Sequence, residues 1–466
     1  MALSYSETVQ QLLWLGHEGR SLKWDLANIR AVLERLGHPE QRFPSVHIAG
    51  TNGKGSVAAM TAAILRTAGY RTGLYSSPHL VRINERIVVN GGAVSDEEFA
   101  AAFDAITEPI EALLAENVLP NYPSYFECLT AMALWHFAQA EVDTAVLEVG
   151  LGGRLDATNI VTPEVAAITA IDFDHERYLG YSIEQIAAEK AGIIKPGVPV
   201  VSAATHPVAR EVVAKRAAEL DAPLVDVEAD YSVEEMRTRD LGRYKFVVRR
   251  PDGFSLSLAP SLRGAFQVQN ALVAVAVARQ LAAAGWRITE RAIADGIAAA
   301  EWRGRLELVR REPLMFLDGA HNPAGMRQVL RFWVEQLPGR RIHLVFGTLR
   351  DKAVEEAAEL LFPYAASVTV TQPATPRAAS VDLLAHLART YNSTVGVEAD
   401  PARAMAAALE RADGDDVVFV TGSLFLVGDC QRALAPPSAG LAAQRAEGPE
   451  RAAMAGAPII PAENPL

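Results

Sequence analysis

Along the chain, short unbroken apolar runs alternate with longer stretches in which apolar residues recur every three to four positions. The first pattern marks buried strands and the second marks helices with one apolar face. Residues 45–49 are an apolar run that ends in a glycine-rich turn. Ser56 to Thr67 follows as an alanine-rich helix with Met60, Ile64 and Leu65 on one side. Residues 72–75 read as a second strand. Ser95 to Ala115 has helical periodicity, with Ser95 as N-cap and Glu97 and Glu98 favouring the positive end of the helix dipole. Phe126 to Ala138 is another helix. Strands are expected at 143–149, 165–171, 198–201 and 223–227, with helices at 183–191 and 206–220 among them. Such alternation predicts a parallel sheet covered on both faces.

The pattern changes between Tyr231 and Leu258. Runs at 244–249 and 254–258 flank Pro251-Asp252-Gly253, a hairpin signal. They are expected as an antiparallel addition at the edge of the first sheet. Helices follow at 267–284 and 288–300, and a boundary falls around Trp302-Arg303-Gly304-Arg305. A second alternation then starts. Its strands are expected at 314–317, 342–346, 366–370, 394–397 and 417–420, with helices at 323–336, 353–361, 380–388 and 402–412. The fold class is α/β, with a larger domain over residues 1–302 and a smaller one over 303–433. Residues 434–466 are rich in alanine, proline, glutamate and glycine and are expected to be a disordered tail.

Length agrees with this division, since 466 residues exceed one ordinary core. Half the residues are hydrophobic and 21% are charged, as in an ordinary globular protein. The formal charge, 44 − 56 = −12, argues against a nucleic-acid partner. It leaves room for a basic pocket that takes an anion. No uncharged run approaches the ~20 residues that span a bilayer, and Met1 to Gln10 has no apolar signal core. No membrane association and a cytoplasmic location are therefore expected, with a monomer as the default. Cys128 and Cys430 are far apart in sequence and form no disulfide framework or zinc spacing.

Chemistry concentrates at strand ends. His47-Ile48-Ala49-Gly50-Thr51-Asn52-Gly53-Lys54-Gly55-Ser56 runs from a strand through a glycine-rich turn into a helix. Backbone N–H groups and the helix N-terminus favour a phosphate there, Lys54 adds positive charge and Ser56 is a candidate magnesium ligand. The spacing departs from G-x-x-x-x-G-K-S/T, because Gly55 separates Lys54 from Ser56. A plain glycine turn is the competing reading. Glu148 lies in an apolar strand, where a lone carboxylate is costly unless it is paired or bound to metal. His175 follows the next strand, and ligands in open α/β sheets gather at such carboxyl ends. Asp172 and Asp174 read as solvated loop acids, and Lys190 as a cation at a helix C-terminus. Asn322 is a candidate N-cap with Pro323 at the first helical position. Asp318 and His321 have no evident structural duty and are candidates for an interdomain site.

Taken together, these segments resemble a known family. Gly50-Thr51-Asn52-Gly53-Lys54-Gly55-Ser56 resembles the ATP loop of the Mur ligases. Ser76-Ser77-Pro78-His79-Leu80, Asn84-Glu85-Arg86-Ile87, Tyr125-Phe126-Glu127 and Glu148 through Asn159 narrow the resemblance to folylpolyglutamate synthase and dihydrofolate synthase. So do Asp174-His175, Glu189-Lys190-Ala191-Gly192-Ile193 and Asp318-Gly319-Ala320-His321-Asn322. The resemblance spans about residues 20 to 430. It implies a parallel-sheet ATPase domain with a phosphate loop, followed by a smaller Rossmann-like glutamate ligase domain. It also implies ATP, two Mg²⁺ ions, L-glutamate and either a reduced folate or dihydropteroate. ATP would lie on Gly50, Thr51, Asn52, Gly53, Lys54, Gly55 and Ser56, with Asn270, Arg305 and Asp318 at the nucleotide. Ser77 and Glu148 would hold one ion and His175 the other, beside a carbamylated Lys190. Lys190, Asp318 and His321 would serve catalysis. Asp25, Arg82, Tyr125, Phe126, Leu155, Asp156 and Ala157 would hold the pterin, although Leu22-Lys23-Trp24-Asp25-Leu26 matches the family's pterin loop only loosely. Two other readings remain: a Mur-type ligase of cell-wall precursors, disfavoured because only ~50 residues precede the loop, and an ATP-binding module that ligates nothing.

Overall fold

The computed structural model describes residues 3–15 and 25–435. Leu22 to Trp24 and most of the expected tail lie outside those residues. The first sheet contains β1 (Ser45–Ala49), β2 (Thr72–Tyr75), β3 (Ile87–Val89), β4 (Gly92–Ala93), β5 (Thr144–Glu148), β6 (Val165–Ile168), β7 (Val200–Ser202) and β8 (Leu224–Asp226). Their order is β4-β3-β2-β5-β1-β6-β7-β8. From β2 to β8 the neighbours are parallel, while β3 and β4 form an antiparallel edge. Every residue of β1, β5 and β6 is buried. Alternate side chains serve opposite faces: Val46, Ile48 and Val146 pack with the helices Lys54–Thr67 and Phe266–Ala283. Ala145 and Leu147 pack with the helices Asp96–Ala115 and Tyr125–Gln139. Burial on both faces is why these strands read as unbroken apolar runs.

The segment from Ser232 to Leu258 departs from expectation. Strands β9 (Ser232–Arg239), β10 (Arg243–Arg249) and β11 (Ser255–Leu258) form their own three-stranded antiparallel sheet, not an extension of the first. Tyr244, Phe246 and Val248 point into the core shared with Val268, Leu272 and Val275, and the residues between them are more exposed. A strand with a period of two has one face to bury, so this sheet caps a helix as a separate layer.

The smaller domain contains β12 (Glu307–Arg311), β13 (Leu314–Leu317), β14 (Ile342–Phe346), β15 (Ser367–Val370), β16 (Val395–Val397) and β17 (Val417–Thr421). The order is β12-β13-β17-β14-β15-β16, parallel except for β12. Sequence patterning missed the helices Tyr5–Trp14, Ala27–Arg35 and Leu424–Leu434 and the strands β3, β4, β9 and β12. Most of these are short or lie at edges, so they carry few periods from which to read a face. Among the described residues no helix is long and apolar enough to cross a membrane.

Candidate active site

A cavity of about 800 Å³ opens beyond the carboxyl ends of β1, β2, β5 and β6 and is closed on its far side by loops of the smaller domain. Gly50 through Ser56 form one wall. The helix after them begins at Lys54, with Gly53 as its N-cap at φ 93°. A Cβ on Gly53 would come within 2.4 Å of Asn270 Oδ1, so glycine is required for two reasons. Ser56 is buried and its hydroxyl accepts from Gln267 Nε2 at 3.2 Å. Lys54 Nζ donates to the carbonyls of Gly50 and Thr51 at 3.0 and 3.2 Å, which ties the loop to its own lysine. Burial lowers the Lys54 pKa, and Glu148 and Asp174 oppose that shift.

Glu148 ends β5 and is 4% exposed. Its Oε2 accepts from the Ser77 N–H at 3.2 Å. Burial pushes its carboxyl up to about 7, against the pull of Lys54 and Arg305. Lys190 also lines the cavity, and its Nζ donates to the Gly50 carbonyl at 3.0 Å. Burial, helped by Lys54, lowers its ammonium to about 7. The helix-end explanation of Lys190 is therefore corrected, because the side chain runs inward to the phosphate loop and not along its own helix.

Asp174 also differs from expectation. It is not a solvated acid: its side chain is 9% exposed and gathers groups from the smaller domain. Lys352 Nζ donates to Oδ1 at 2.6 Å, Asn322 Nδ2 to Oδ2 at 3.0 Å, and His321 Nε2 lies 3.4 Å from Oδ2. Burial opposes ionisation, but the contacts to His321 and Lys352 prevail and hold the carboxyl well below the usual carboxylate range. His175 has a left-handed backbone at φ 53° and its Nε2 lies 3.2 Å from Lys352 Nζ. Burial pushes its imidazole down to about 3, so it is neutral. Asp172 is 37% exposed and stays a loop acid.

Asn322 caps its helix as expected, accepting from the Gly325 N–H at 2.8 Å. It also forms a reciprocal amide pair with Asn52 of the phosphate loop, at 3.0 and 3.3 Å. Asp318 does have a structural duty, against expectation. Its two oxygens accept the N–H groups of Leu306 and Ala320 at 2.8 and 2.9 Å, which fixes the loop that carries Arg305 and His321. Arg305, Asn270, Asp318 and His321 all line the cavity, as do Ser77, Asp25, Tyr125, Phe126, Leu155, Asp156 and Ala157. Arg82 does not. Its guanidinium pairs with Asp96 and lies over the Tyr5 ring, on the outside. Residues that the sequence did not single out, including Gln269, Arg350, Lys352 and Arg377, complete the lining. Lys352 follows β14 by several residues in a loop without a glycine-rich signature, which left it unmarked.

A phosphate loop facing a second α/β domain across a cleft is the arrangement of an enzyme that brings a nucleotide and a second substrate together, and the family matches make it a ligase of the Mur type. The chain matches the Mur ligase middle domain over residues 48–278 and the Mur ligase glutamate ligase domain over residues 304–424. It is 34% identical to the dihydrofolate synthase/folylpolyglutamate synthase of Bacillus subtilis (strain 168), covering 89% of this chain and 95% of that one. It is also 34% identical to the folylpolyglutamate synthase of Lacticaseibacillus casei, over 93% and 99%. A Mycobacterium tuberculosis folylpolyglutamate synthase complexed with ADP and AMPPCP superposes with a TM-score of 0.85 at 32% identity, covering 93% of this chain and all of that one. The chain belongs to the folylpolyglutamate synthase/dihydrofolate synthase family.

Proposed function

We propose that this protein joins L-glutamate to the carboxylate of a folate at the expense of ATP, through an acyl phosphate. Dihydropteroate, a reduced folate, or both would supply the carboxylate. The observation that carries this reading is the single cleft in which the phosphate loop, Glu148 and Lys190 of one domain meet His321, Asn322 and Lys352 of the other. Family relatives bear both activity names, and the Escherichia coli relative has been solved with DHPP and ADP.

ATP phosphates fit against the N–H groups that start the helix at Lys54. Ser77 and Glu148 offer oxygen donors from neighbouring strand ends, which suits Mg²⁺. Mg²⁺ would offset charge as the γ-phosphoryl passes to the substrate carboxylate. Neutral His175 is competent as a further ligand. A Lys190 amine that is partly neutral near pH 7 can react with CO₂, which supports carbamylation there. The glutamate amine then attacks the acyl carbon, an amide forms and phosphate leaves. Closing the two domains over the cleft would exclude water that otherwise hydrolyses the acyl phosphate. Asp25, Tyr125, Phe126 and Leu155 to Ala157 line the part of the cavity suited to the pterin.

Phosphate release by purified protein with ATP and Mg²⁺ tests the proposal. It should require both L-glutamate and a pterin carboxylate, and full turnover without glutamate would refute it. Comparing dihydropteroate with tetrahydrofolate in that assay assigns the substrate. In the same assay Lys190→Ala should lose most activity and regain part with added short carboxylates.

A further inference from the structure

Behind the loop that follows β5 runs a chain of buried polar side chains that the reaction itself does not use. His47 is fully buried in β1. Its Nε2 lies 2.8 Å from Thr158 Oγ1. Thr158 Oγ1 donates to Asp156 Oδ1 at 2.5 Å, and the Thr158 N–H donates to the same oxygen at 3.0 Å. Asp156 Oδ2 accepts from the Leu151 N–H at 2.9 Å. Asp156 lines the cavity, together with Leu151, Leu155 and Ala157.

The direction of each bond can be assigned. Burial pushes the Asp156 carboxyl up, but both of its oxygens accept N–H groups, from Thr158 and Leu151, as a carboxylate does, and the Thr158 hydroxyl donates to it as well. Its lone pair is then left for a donor, and His47 supplies one from Nε2–H. Burial holds this imidazole near 3, so it carries a single N–H, and Nδ1 stands as a buried acceptor with no partner. That tautomer follows from the hydrogen-bond network. A buried polar pair that leaves one nitrogen unsatisfied is costly in a strand where a valine would pack without penalty. The histidine therefore needs a reason beyond packing, and its one polar contact is Thr158.

We propose that His47 and Thr158 are positioning residues for the pterin-bearing substrate, acting through Asp156 to set the shape of the 151–157 loop. The pair ties that loop to the central strand β1, the same strand that delivers the phosphate loop at Gly50. Pterin fit and nucleotide fit thus share one rigid element but use separate contacts. This inference rests on the folate reading above.

The test uses the full chain and measures KM for dihydropteroate and for ATP separately. Thr158→Val keeps the shape and removes the hydroxyl; Thr158→Ser restores it. Loss of one hydrogen bond to a charged group corresponds to about tenfold, so Thr158→Val should raise the dihydropteroate KM by about tenfold. Its ATP KM should stay within about twofold, and Thr158→Ser should behave as wild type. His47→Gln retains an N–H donor and should be milder than His47→Leu, which gives a second pair if Thr158→Val does not fold. Equal dihydropteroate KM values for Thr158→Val and wild type, or parallel rises in both KM values, overturn the positioning role. If the wild type turns over tetrahydrofolate alone, the same KM comparison is made with tetrahydrofolate; if it turns over and binds neither tetrahydrofolate nor dihydropteroate, the folate reading falls and this inference falls with it.

Discussion

Burial pushes the Glu148 carboxyl up to about 7 from the ordinary 4.5, so the folded chain binds this proton more tightly than the unfolded chain does. Between those values the folded state holds more protons, and stability falls as pH rises through them. Glu148→Gln cannot ionise and escapes that cost. The variant's melting temperature in the absence of ligands should gain on wild type from pH 4.5 to 7 and level off above, approaching ~3 kcal/mol of added stability. Its ligase activity should fall on the order of a hundredfold or more, because the amide is a poor partner for a cation. A variant no more stable at pH 7.5 than at pH 5, relative to wild type, would contradict the buried-charge account. Glu148 was legible in the sequence because a carboxylate in an apolar strand is anomalous. Asp174 was not, since a polar loop acid looks the same whether it faces water or a partner domain.

The geometry of the phosphate loop is more demanding than its composition. Gly53 combines a left-handed backbone with contact against Asn270, a residue far away in sequence. Gly53→Ala should weaken ADP binding by about tenfold or more, from strain of roughly 1–3 kcal/mol. Circular dichroism should show the helix Lys54–Thr67 intact. Unchanged ADP affinity in a fluorescence titration would mean that the loop relaxes at no cost. The helix was legible from its alanine-rich run. Its start at Lys54, two residues before Ser56, was not, because the N-cap Gly53 is set against Asn270, a contact that only the tertiary structure makes.

Across the whole molecule, the two domains meet through Asn52, Asp174, Asn322, His321 and Lys352. Asn322→Asp keeps a capping oxygen for Gly325, since both residues cap well. It removes the amide donors to Asn52 and Asp174 and sets a second carboxylate beside Asp174. ADP affinity should be preserved, while glutamate-dependent phosphate release at saturating ATP should drop about tenfold or more. Equal losses in nucleotide binding and turnover would show that Asn322 supports the phosphate loop and not the meeting of the domains.

Local pattern determined the two α/β alternations, most strand and helix positions, and the glycine-rich loop, because periodicity and turn chemistry act over a few residues. Motif order determined the family. Tertiary structure decided what such short-range signals cannot encode. It made the segment from Ser232 to Leu258 a separate layer, because its single apolar face had a helix to cover. It turned Lys190 inward, buried Asp174 against Lys352, His321 and Asn322 of the other domain and left Arg82 outside the cavity. Each of these outcomes depends on which distant group shares the same low-dielectric space, and sequence neighbours do not carry that information.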